Sequence, residues 1–367
     1  MPKKMFERRI WTSLDWTLVL FAIGVIGAGL WLVWSTTVDR FGPGLFHRQL
    51  LWLGIGFGAL LIMLLVDYHS WGELAPILYA VGLVGLAIPL WTGRTIGGAK
   101  RWIEIGEMNL QPSEIIKTIT VLVLAYYLSR RNRYGLGLRE TLFLGLLVAI
   151  PAGLVAMQPD LGTSIVILSP LGGLMLVGGL RIRTFGVLAL VAILILPVAW
   201  FTMLHDYQRD RVKGFLNMEE DPRGTSYQLN QSLIAVGSGG LVGKWPREMT
   251  QSQLQFLPEE HTDFIFAVLA EKWGFLGCFV VLSLYLGIFL GCLKIARLAR
   301  DRLGVYLVVG ILSFFSFQVF LNVGVVVGLL PTTGMALPLM SYGGSSMVSS
   351  LAALGLVLNV GARRLVN

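Results

Sequence analysis

Charge-free apolar stretches, each long enough to cross a lipid bilayer, recur along this chain. A helix of about 20 residues spans the roughly 30 Å hydrocarbon core, and helical backbone satisfies its own polar groups there. Hydrophobic residues make up 55% of the 367 positions and charged residues only 14%, which excludes an ordinary soluble domain. Seven uninterrupted stretches lie at 16–38, 49–66, 74–93, 141–159, 161–180, 184–205 and 273–293.

Three further spans come from longer or interrupted stretches. One apolar stretch carries two charges, Glu114 and Lys117, and the uncharged stretch 303–362 is about twice too long for a single crossing. Helix breakers at 330–334 divide the latter. The three spans lie near 110–129, 303–328 and 345–362. The sequence therefore predicts an all-α integral membrane protein of about ten transmembrane helices, organised as one polytopic domain over 1–367.

Short loops rich in Lys and Arg indicate the orientation, because such loops stay in the cytoplasm. With the N-terminus inside, the strong basic clusters fall on the cytoplasmic side. They comprise Lys3, Lys4, Arg8, Arg9, Arg130, Arg131, Arg133, Arg139, Arg181, Arg183, Lys294, Arg297, Arg300, Arg302, Arg363 and Arg364. The exception is the loop 206–262, but long segments cross largely regardless of charge. Both termini are predicted to be cytoplasmic, with 206–262 a long extracytoplasmic loop before the eighth helix. The net charge of +8 indicates contact with anionic lipid and not with nucleic acid.

The polar stretch 251–263 ends at the apolar run 264–270, so three carboxylates and a histidine meet a membrane boundary. A carboxylate at the end of a transmembrane helix is partly removed from water, which costs free energy. Residues kept in such places are commonly functional. We therefore predict Asp263, the last residue of the stretch, as a site residue.

Glu114 and Lys117, three residues apart, project from one face of their helix. Two interpretations stay open: an internal ion pair that neutralises itself in lipid, or a pair that orients a polar substrate in a cavity opening outward. Asp160 lies between two spans at the same outer level, and it is either the N-cap of the following helix or a site residue. Together with Asp263 these groups share one depth, which favours a site, since independent structural carboxylates would scatter.

Two basic segments lie at the same level. Lys100 and Arg101 stand beside glycines and Trp102, and a guanidinium fork is well shaped to bind phosphate, although an interfacial aromatic belt explains Trp102 alone. In the second segment, a solvated loop is the favoured interpretation for Asp210 and Arg211. Arg209 is instead a candidate for substrate binding.

The segment 329–344 interrupts an apolar region with prolines, glycines and hydroxyl groups. Non-helical backbone is tolerated at that depth only where protein or a wet cavity satisfies it. Ser341 and Tyr342 are therefore predicted to line the same cavity. A plain loop between helices is the alternative.

Six motifs occur along the chain in a characteristic order: Gly98-Ala99-Lys100-Arg101-Trp102, Gln111-Pro112-Ser113-Glu114, Gln158-Pro159-Asp160-Leu161-Gly162-Thr163, His205-Asp206-Tyr207-Gln208-Arg209, Phe256-Leu257-Pro258-Glu259-Glu260-His261-Thr262-Asp263-Phe264 and Ser341-Tyr342-Gly343-Gly344-Ser345. Together they resemble the SEDS family (shape, elongation, division and sporulation), and the fourth resembles its rod-shape branch. The resemblance implies a peptidoglycan glycosyltransferase of the bacterial inner membrane that polymerises lipid II. It also implies a partner, a class B penicillin-binding protein whose transpeptidase domain crosslinks the strands. The family's essential acid falls on Asp263, its intramembrane pair on Glu114 and Lys117, and a further cavity acid on Asp160.

Such a reaction joins a sugar C4 hydroxyl to a C1 atom that carries a lipid diphosphate, and it turns an α linkage into β in a single inversion. It needs a base on the acceptor side and stabilised charge on the leaving side. Asp263 is the expected base. The departing diphosphate could be neutralised by Lys117, Arg101 and Arg209, or by a divalent cation, Mg²⁺ or Mn²⁺, held by carboxylates. The sequence leaves the metal open.

Two other functions stay open. Many spans, intramembrane charges and broken helices also suit a transporter that flips lipid II, and a scaffold that recruits the crosslinking partner would need no chemistry. The clustering of charges at the outer level, and the lack of an inverted repeat in the sequence, argue against the transporter.

Overall fold

The structure is a computed structural model that describes residues 13–92, 94–96, 99–105, 108–131, 135–179, 184, 186–187, 206–216, 226–245 and 259–364. Its helices are α1 (Trp16–Phe41), α2 (Gly44–Leu65), α3 (Tyr68–Thr92), α4 (Pro112–Ser129), α5 (Leu138–Ala156), α6 (Leu161–Val177), α7 (Asp206–Leu216), α8 (Tyr227–Ser238), α9 (Ile265–Leu298), α10 (Arg302–Val326) and α11 (Gly344–Arg363). Its strands are β1 (Arg94–Ile96), β2 (Ala99–Ile105) and β3 (Met108–Leu110).

Within the described residues, seven helices are long and apolar enough to cross a membrane: α1, α2, α3, α5, α9, α10 and α11. The predicted spans at 110–129 and 161–180 are helices as well, α4 and α6, although they fall outside that group. The predicted span at 184–205 lies almost entirely outside the described residues. A multi-pass helical membrane protein is therefore confirmed, whereas the number of ten spans stays a prediction.

The connection between α3 and α4 contains three short strands, which the all-α prediction did not include. The three strands there form an antiparallel sheet, in which Arg94 pairs with Trp102 and Glu104 pairs with Asn109. Apolar residues alternate with polar ones in the second half of β2, as the period of two along a strand requires.

Helix α11 lies at the centre of the bundle, and 94% of its spanning window is buried inside the protein. Small residues let α11 approach its neighbours closely. At Gly355, for example, a Cβ atom would lie only 2.6 Å from the backbone oxygen of Leu60 in α2, which is too close for any other residue. Near the end of α11, the Asn359 side chain donates hydrogen bonds to the backbone oxygens of Met63 and Val66. These contacts hold the second half of α11 against α2 and the residue that follows it.

Helix α9 has a break at Gly274, whose φ of 64° is in the left-handed region that glycine tolerates. Before the break, the run 264–270 is buried against protein, with every side chain at most 3% exposed. The prediction of a membrane-spanning helix at 273–293 matches the second part of α9. Asp263 therefore stands at the mouth of a short helix enclosed by protein, not at the mouth of a helix that faces lipid.

The segment 206–262 is not simply a loop, because it contains α7 and α8. Helix α8 packs on α9 and α10, and its Ser232 hydroxyl donates to the Val326 backbone oxygen at 3.0 Å. The residues that follow cross the break in α9. The Lys244 backbone N–H donates to Glu271, and the Phe275 backbone N–H donates to Gly240. The long connection is thus attached to the helix that follows Asp263.

Candidate active site

A polar cavity of about 400 Å³ lies at the end of the bundle where α4, α6, α9 and α11 begin, which we call the cavity end. Six of the eight predicted site residues line it: Arg101, Glu114, Lys117, Asp160, Asp263 and Tyr342. The sequence predicts that these charged groups lie at one depth, and the fold places them around one cavity.

Asp263 lies in a turn, 259–264, in which its backbone N–H donates to the Glu259 oxygen at 3.2 Å. Its own backbone oxygen accepts a hydrogen bond from the Asn322 side chain at 2.8 Å. The carboxylate faces Gly334, where a Cβ atom would lie 3.4 Å from Oδ2 of Asp263 and 3.7 Å from Nη1 of Arg211. The Asp263 carboxylate and the Arg211 guanidinium therefore both lie next to Gly334. Because glycine has no side chain, the space beside the two groups stays open.

The environment of Asp263 changes its acidity. Burial, followed by the charge of Glu259, raises the pKa of this carboxyl to about 6, although Arg101 and Arg211 act in the opposite direction. The side chain is half-buried and opens into the cavity. A carboxylate with a pKa near neutrality can take up and release a proton under physiological conditions.

Asp160 has both of the roles that the sequence left open. It is the N-cap of α6, since Oδ1 accepts the Thr163 backbone N–H at 3.1 Å. Its Oδ2 atom faces the cavity and accepts from the Thr163 hydroxyl at 3.0 Å and from the Gln111 side chain at 3.1 Å, and it pairs with Arg101 at 3.3 Å. With this many donors holding its carboxylate in place, Asp160 is suited to positioning Arg101.

Glu114 and Lys117 form an ion pair, with Oε2 and Nζ 2.9 Å apart and side chains only 9% and 4% exposed. Lys117 also donates to the Gln318 side chain at 3.1 Å, and its Nζ lies 5.9 Å from the centre of the Phe314 ring. The pair is internal, as one interpretation held, and it also lines the cavity, as the other held.

The broken segment 329–344 forms one wall of the cavity through Gly334, Met335, Ala336, Tyr342 and Gly343. Its backbone is satisfied by side chains of α10. Gln318 donates to the Ala336 oxygen at 2.7 Å, and Asn322 donates to the Met335 oxygen at 2.6 Å. Protein groups thus satisfy non-helical backbone within an apolar region, as expected.

Two predicted residues are placed elsewhere. Ser341 is 4% exposed, and its hydroxyl accepts the Leu337 backbone N–H at 2.8 Å, so it closes a turn and does not line the cavity. Arg209 is not among the described lining residues, whereas Arg211 is, and Arg211 donates to the Thr332 oxygen at 3.3 Å. The solvated-loop interpretation of Arg211 is therefore wrong. Both arginines lie on α7, and only its packing decides which one reaches the site.

The sequence also offered signals that pattern reasoning missed. Gln318 and Asn322 are four residues apart in the otherwise apolar helix α10, so they share a face. Ser345 and Ser349 repeat this spacing on α11. Their hydroxyls bond α4, with Ser345 accepting the Gln111 backbone N–H at 2.8 Å and Ser349 donating to the Glu114 oxygen at 2.6 Å. Polar residues at helical spacing inside apolar spans mark the side that faces the site.

The acidic side chains of the cavity bear on the divalent cation that the sequence left open. Within the described residues, no three His, Cys, Asp or Glu side chains are grouped so that they could hold a metal ion. In the cavity wall Glu114 is paired with Lys117, and Asp160 is surrounded by donors. Among the described residues, the cations that line the cavity are Arg101, Lys117 and Arg211.

Comparison with known proteins decides the family. The family model described as "Cell cycle protein", which covers FtsW, RodA and SpoVE, matches residues 13–365. The chain belongs to this family. The resemblance to SEDS proteins, based on six short motifs, is thereby confirmed over nearly the whole length.

Curated relatives and solved structures agree with this assignment. The chain is 37% identical over 364 residues to the peptidoglycan glycosyltransferase MrdB of Escherichia coli K12, covering 99% of this chain and 96% of that protein. It is 40% identical to a probable peptidoglycan glycosyltransferase FtsW of Thiomicrospira cyclica, covering 95% and 92%.

A chain from a peptidoglycan synthase complex that coordinates polymerization and crosslinking superposes with a TM-score of 0.81 at 34% identity, covering 96% of this chain and 99% of that one. The rod shape determining protein RodA of Thermus thermophilus superposes with a TM-score of 0.73 at 30% identity, covering 97% and 99%. This SEDS protein thus shares its fold with solved relatives along almost its full length.

Proposed function

We propose that this SEDS protein polymerises lipid II into glycan strands by an inverting transfer, with Asp263 as the general base. The observation that carries the proposal is the state of the acids in the cavity wall. Among the described lining carboxylates, Asp263 is the one whose two side-chain oxygens accept no hydrogen bond and form no ion pair. Its pKa of about 6 matches the requirement of a base that works near neutral pH.

The chain is a peptidoglycan glycosyltransferase of cell-wall synthesis, as its curated relatives are. In the proposed step the acceptor hydroxyl oxygen bonds to the sugar C1 while the bond from C1 to the diphosphate oxygen breaks. The hydroxyl proton passes to Asp263, and the bonding electrons leave with the diphosphate. One inversion at C1 turns the α linkage into β.

The leaving diphosphate develops charge that the cavity is built to receive. Arg101, Lys117 and Arg211 all line it, and Arg101 is oriented by Asp160 at 3.3 Å. Fixed cations in an enclosed site stabilise developing charge more than they would in water. We assign the diphosphate to these three residues, with Arg211 in the place that the sequence suggested for Arg209.

Transport is not favoured by the shape of the cavity. In the described part of α4 and α10, its wall extends no deeper than Lys117 and Gln318. Phe314 lies one turn before Gln318 on α10, on the side away from the cavity end. It is 1% exposed, and the centre of its ring lies 5.9 Å from Nζ of Lys117. A site closed at that depth suits chemistry on a headgroup that enters and leaves from one side.

The orientation and the partner belong to the same proposal. The apolar stretches favour ten spans, and the basic loops favour cytoplasmic termini and a cavity that faces the periplasm or cell exterior from the bacterial inner membrane. The partner is a class B penicillin-binding protein, with its transmembrane helix packed on α9 and α10. The superposition on a chain of a peptidoglycan synthase complex supports such a partner.

The connection 235–250 offers a route by which the partner could regulate the rate. Residues 240–245 bond directly to the backbone on either side of the break in α9, and Asp263 precedes that helix. Pressure of the partner on this connection would then shift Asp263 towards the acceptor hydroxyl, provided that the partner binds the two positions with different affinity. Substitutions in 235–250 should change the polymerisation rate of the complex far more than its affinity for lipid II. Unchanged rates in fully formed complexes would contradict this route.

The decisive experiment measures glycan polymer made from lipid II by the purified protein with its partner in detergent. Asp263→Asn keeps the size of the side chain but cannot accept the proton, so the rate should fall about 10²- to 10⁴-fold. Asp210→Asn, the same change on α7 and away from the cavity wall, is the matched control. Near-normal polymer from Asp263→Asn would remove Asp263 from the role of base. Wild-type complex that moves lipid II across vesicles without making polymer would favour the transporter.

A further inference from the structure

A second cavity, of about 380 Å³, lies at the opposite end of the bundle, where α4 ends and α3 and α10 begin. We call this end, which carries Arg130, Arg131, Arg302 and Arg363, the basic end. Among the described residues the two cavities share no lining residue, and α4 separates them from Lys117 to Tyr126. The second cavity takes no part in the proposed glycosyl transfer.

Some of its charged groups are engaged in holding helix ends. Asp301 caps α10 by accepting the Gly304 backbone N–H at 2.7 Å. Its other oxygen accepts the Tyr68 hydroxyl at 2.9 Å and lies 2.6 Å from Nε2 of His69. Arg302 donates to the Arg131 backbone oxygen at 2.9 Å. These groups form the frame of the cavity.

Two opposite charges in the wall are not engaged in this way. Glu73 and Arg130 are both exposed, and within the described part of the chain neither forms an ion pair or a side-chain hydrogen bond. The guanidinium carbon of Arg130 lies 4.4 Å from the centre of the Tyr126 ring. Stacking on a ring fixes the guanidinium plane and leaves its N–H edge open to a ligand. Besides the framing groups Asp301, His69 and Arg302, the described wall of the cavity thus presents one cation, Arg130, and one anion, Glu73, that do not pair with each other.

An apolar track leads from this cavity along α3. Ile77, Val81 and Val84 follow Glu73 at intervals of four, four and three residues, so they share its face of the helix. Their side chains are 62%, 64% and 63% exposed in a helix apolar enough to cross a membrane. A ligand that binds Glu73 with a polar group can therefore lay an acyl chain along the same face.

We propose that this cavity binds a phospholipid whose headgroup is phosphoethanolamine. The phosphate pairs with Arg130, the primary ammonium donates to Glu73, and an acyl chain follows Ile77, Val81 and Val84. Arg130 by itself would accept the phosphate of any phospholipid, but the Glu73 carboxylate repels a purely anionic headgroup and accepts hydrogen bonds from N–H donors. The site therefore selects a zwitterionic lipid that carries a primary amine.

Phosphatidylethanolamine and phosphatidylcholine test whether the site selects a primary amine. The two lipids have the same net charge, but only the ethanolamine headgroup has N–H donors. The full chain, stripped of lipid in detergent, is titrated with dioleoyl forms of each lipid, and retained lipid is counted by native mass spectrometry. Loss of a hydrogen bond between charged groups implies about tenfold weaker binding of the choline lipid. Glu73→Gln should make the two lipids bind equally. Arg130→Gln should weaken both by about tenfold.

Arg139→Gln is the matched control, since Arg139 is exposed at the start of α5 and does not line the cavity. The three substituted positions are exposed, so unchanged thermal unfolding is expected for each variant. Equal retention of the two lipids by the wild-type chain would overturn the proposal, as would Arg139→Gln acting as strongly as Arg130→Gln. Displacement of the lipid by soluble phosphoethanolamine at equal concentration would also overturn it, because the acyl chain would then contribute nothing.

Discussion

The cavity end and the basic end each contain an ion pair of similar geometry in different surroundings. Lys117 and Glu114 are 2.9 Å apart with side chains 4% and 9% exposed, whereas Arg131 and Glu140 are 3.1 Å apart with side chains 24% and 44% exposed. Water screens the second pair and not the first. The distance between two charges therefore says little about their importance until burial is known.

Carboxyl groups at the two ends differ in the same way. Burial and the charge of Glu259 raise the pKa of Asp263 to about 6. Burial also acts to raise the pKa of Asp67 at the basic end, but hydrogen bonds from His69 and the charge of Arg363 outweigh it, so that pKa lies below its ordinary value. The cavity end keeps one acid able to take a proton, and the basic end keeps its acid ionised.

The largest difference between the ends should appear when one member of each ion pair is removed. Lys117→Ala or Glu114→Ala leaves a buried charge alone and should lower the free energy of unfolding by about 3–5 kcal/mol. Arg131→Ala should cost at most about 1 kcal/mol. Thermal or denaturant unfolding in one detergent measures both.

The double variant separates structure from chemistry at the cavity end. If pairing is the main role of Glu114 and Lys117, removing both should harm the protein less than removing either one. A double variant that folds well but makes no polymer would show that the pair also contacts substrate. Equal costs for Lys117→Ala and Arg131→Ala would contradict the contrast between the ends.

A smaller effect is expected from the arginines of α7. Arg211→Gln removes a cation from the cavity and should lower the polymerisation rate about 10- to 100-fold, as for a lost hydrogen bond between charged groups. Arg209→Gln, two residues away on the same helix, should change the rate little. Steady-state rates with lipid II at several concentrations check this. A stronger effect of Arg209→Gln would return the substrate role to Arg209.

The smallest effect is a change in the pH profile. Because the proposed base must be ionised, the rate should rise as pH increases through about 6 and level off above it. Arg211→Gln should move this limb to higher pH, since Arg211 favours the charged form of Asp263. Asp67→Asn at the basic end should leave the limb in place. A wild-type profile that is flat between pH 5 and 7 would argue against Asp263 as the titrating group.

Much of the candidate site could be predicted from single residues, because an ionisable group in an apolar span is rare enough to stand out. Glu114 and Lys117 are predicted on that basis, and Asp160 and Asp263 are predicted from their places at the ends of apolar spans; the structure places all four in one cavity wall. Ser341 was chosen because hydroxyls interrupt a broken segment, yet its hydroxyl serves a local turn. A hydroxyl has many possible local partners, so sequence alone does not separate these uses.

What the sequence by itself determined is the class of protein and the depth of its charges. Apolar length requires helices that cross a membrane, and charges inside those spans require partners, whatever the packing. The tertiary structure decided which groups meet. The packing of α7 brings Arg211, and not Arg209, into the cavity wall, and among the described lining carboxylates only Asp263 has side-chain oxygens that accept no hydrogen bond and form no ion pair. Those outcomes depend on contacts between residues far apart in the chain, which no local pattern specifies.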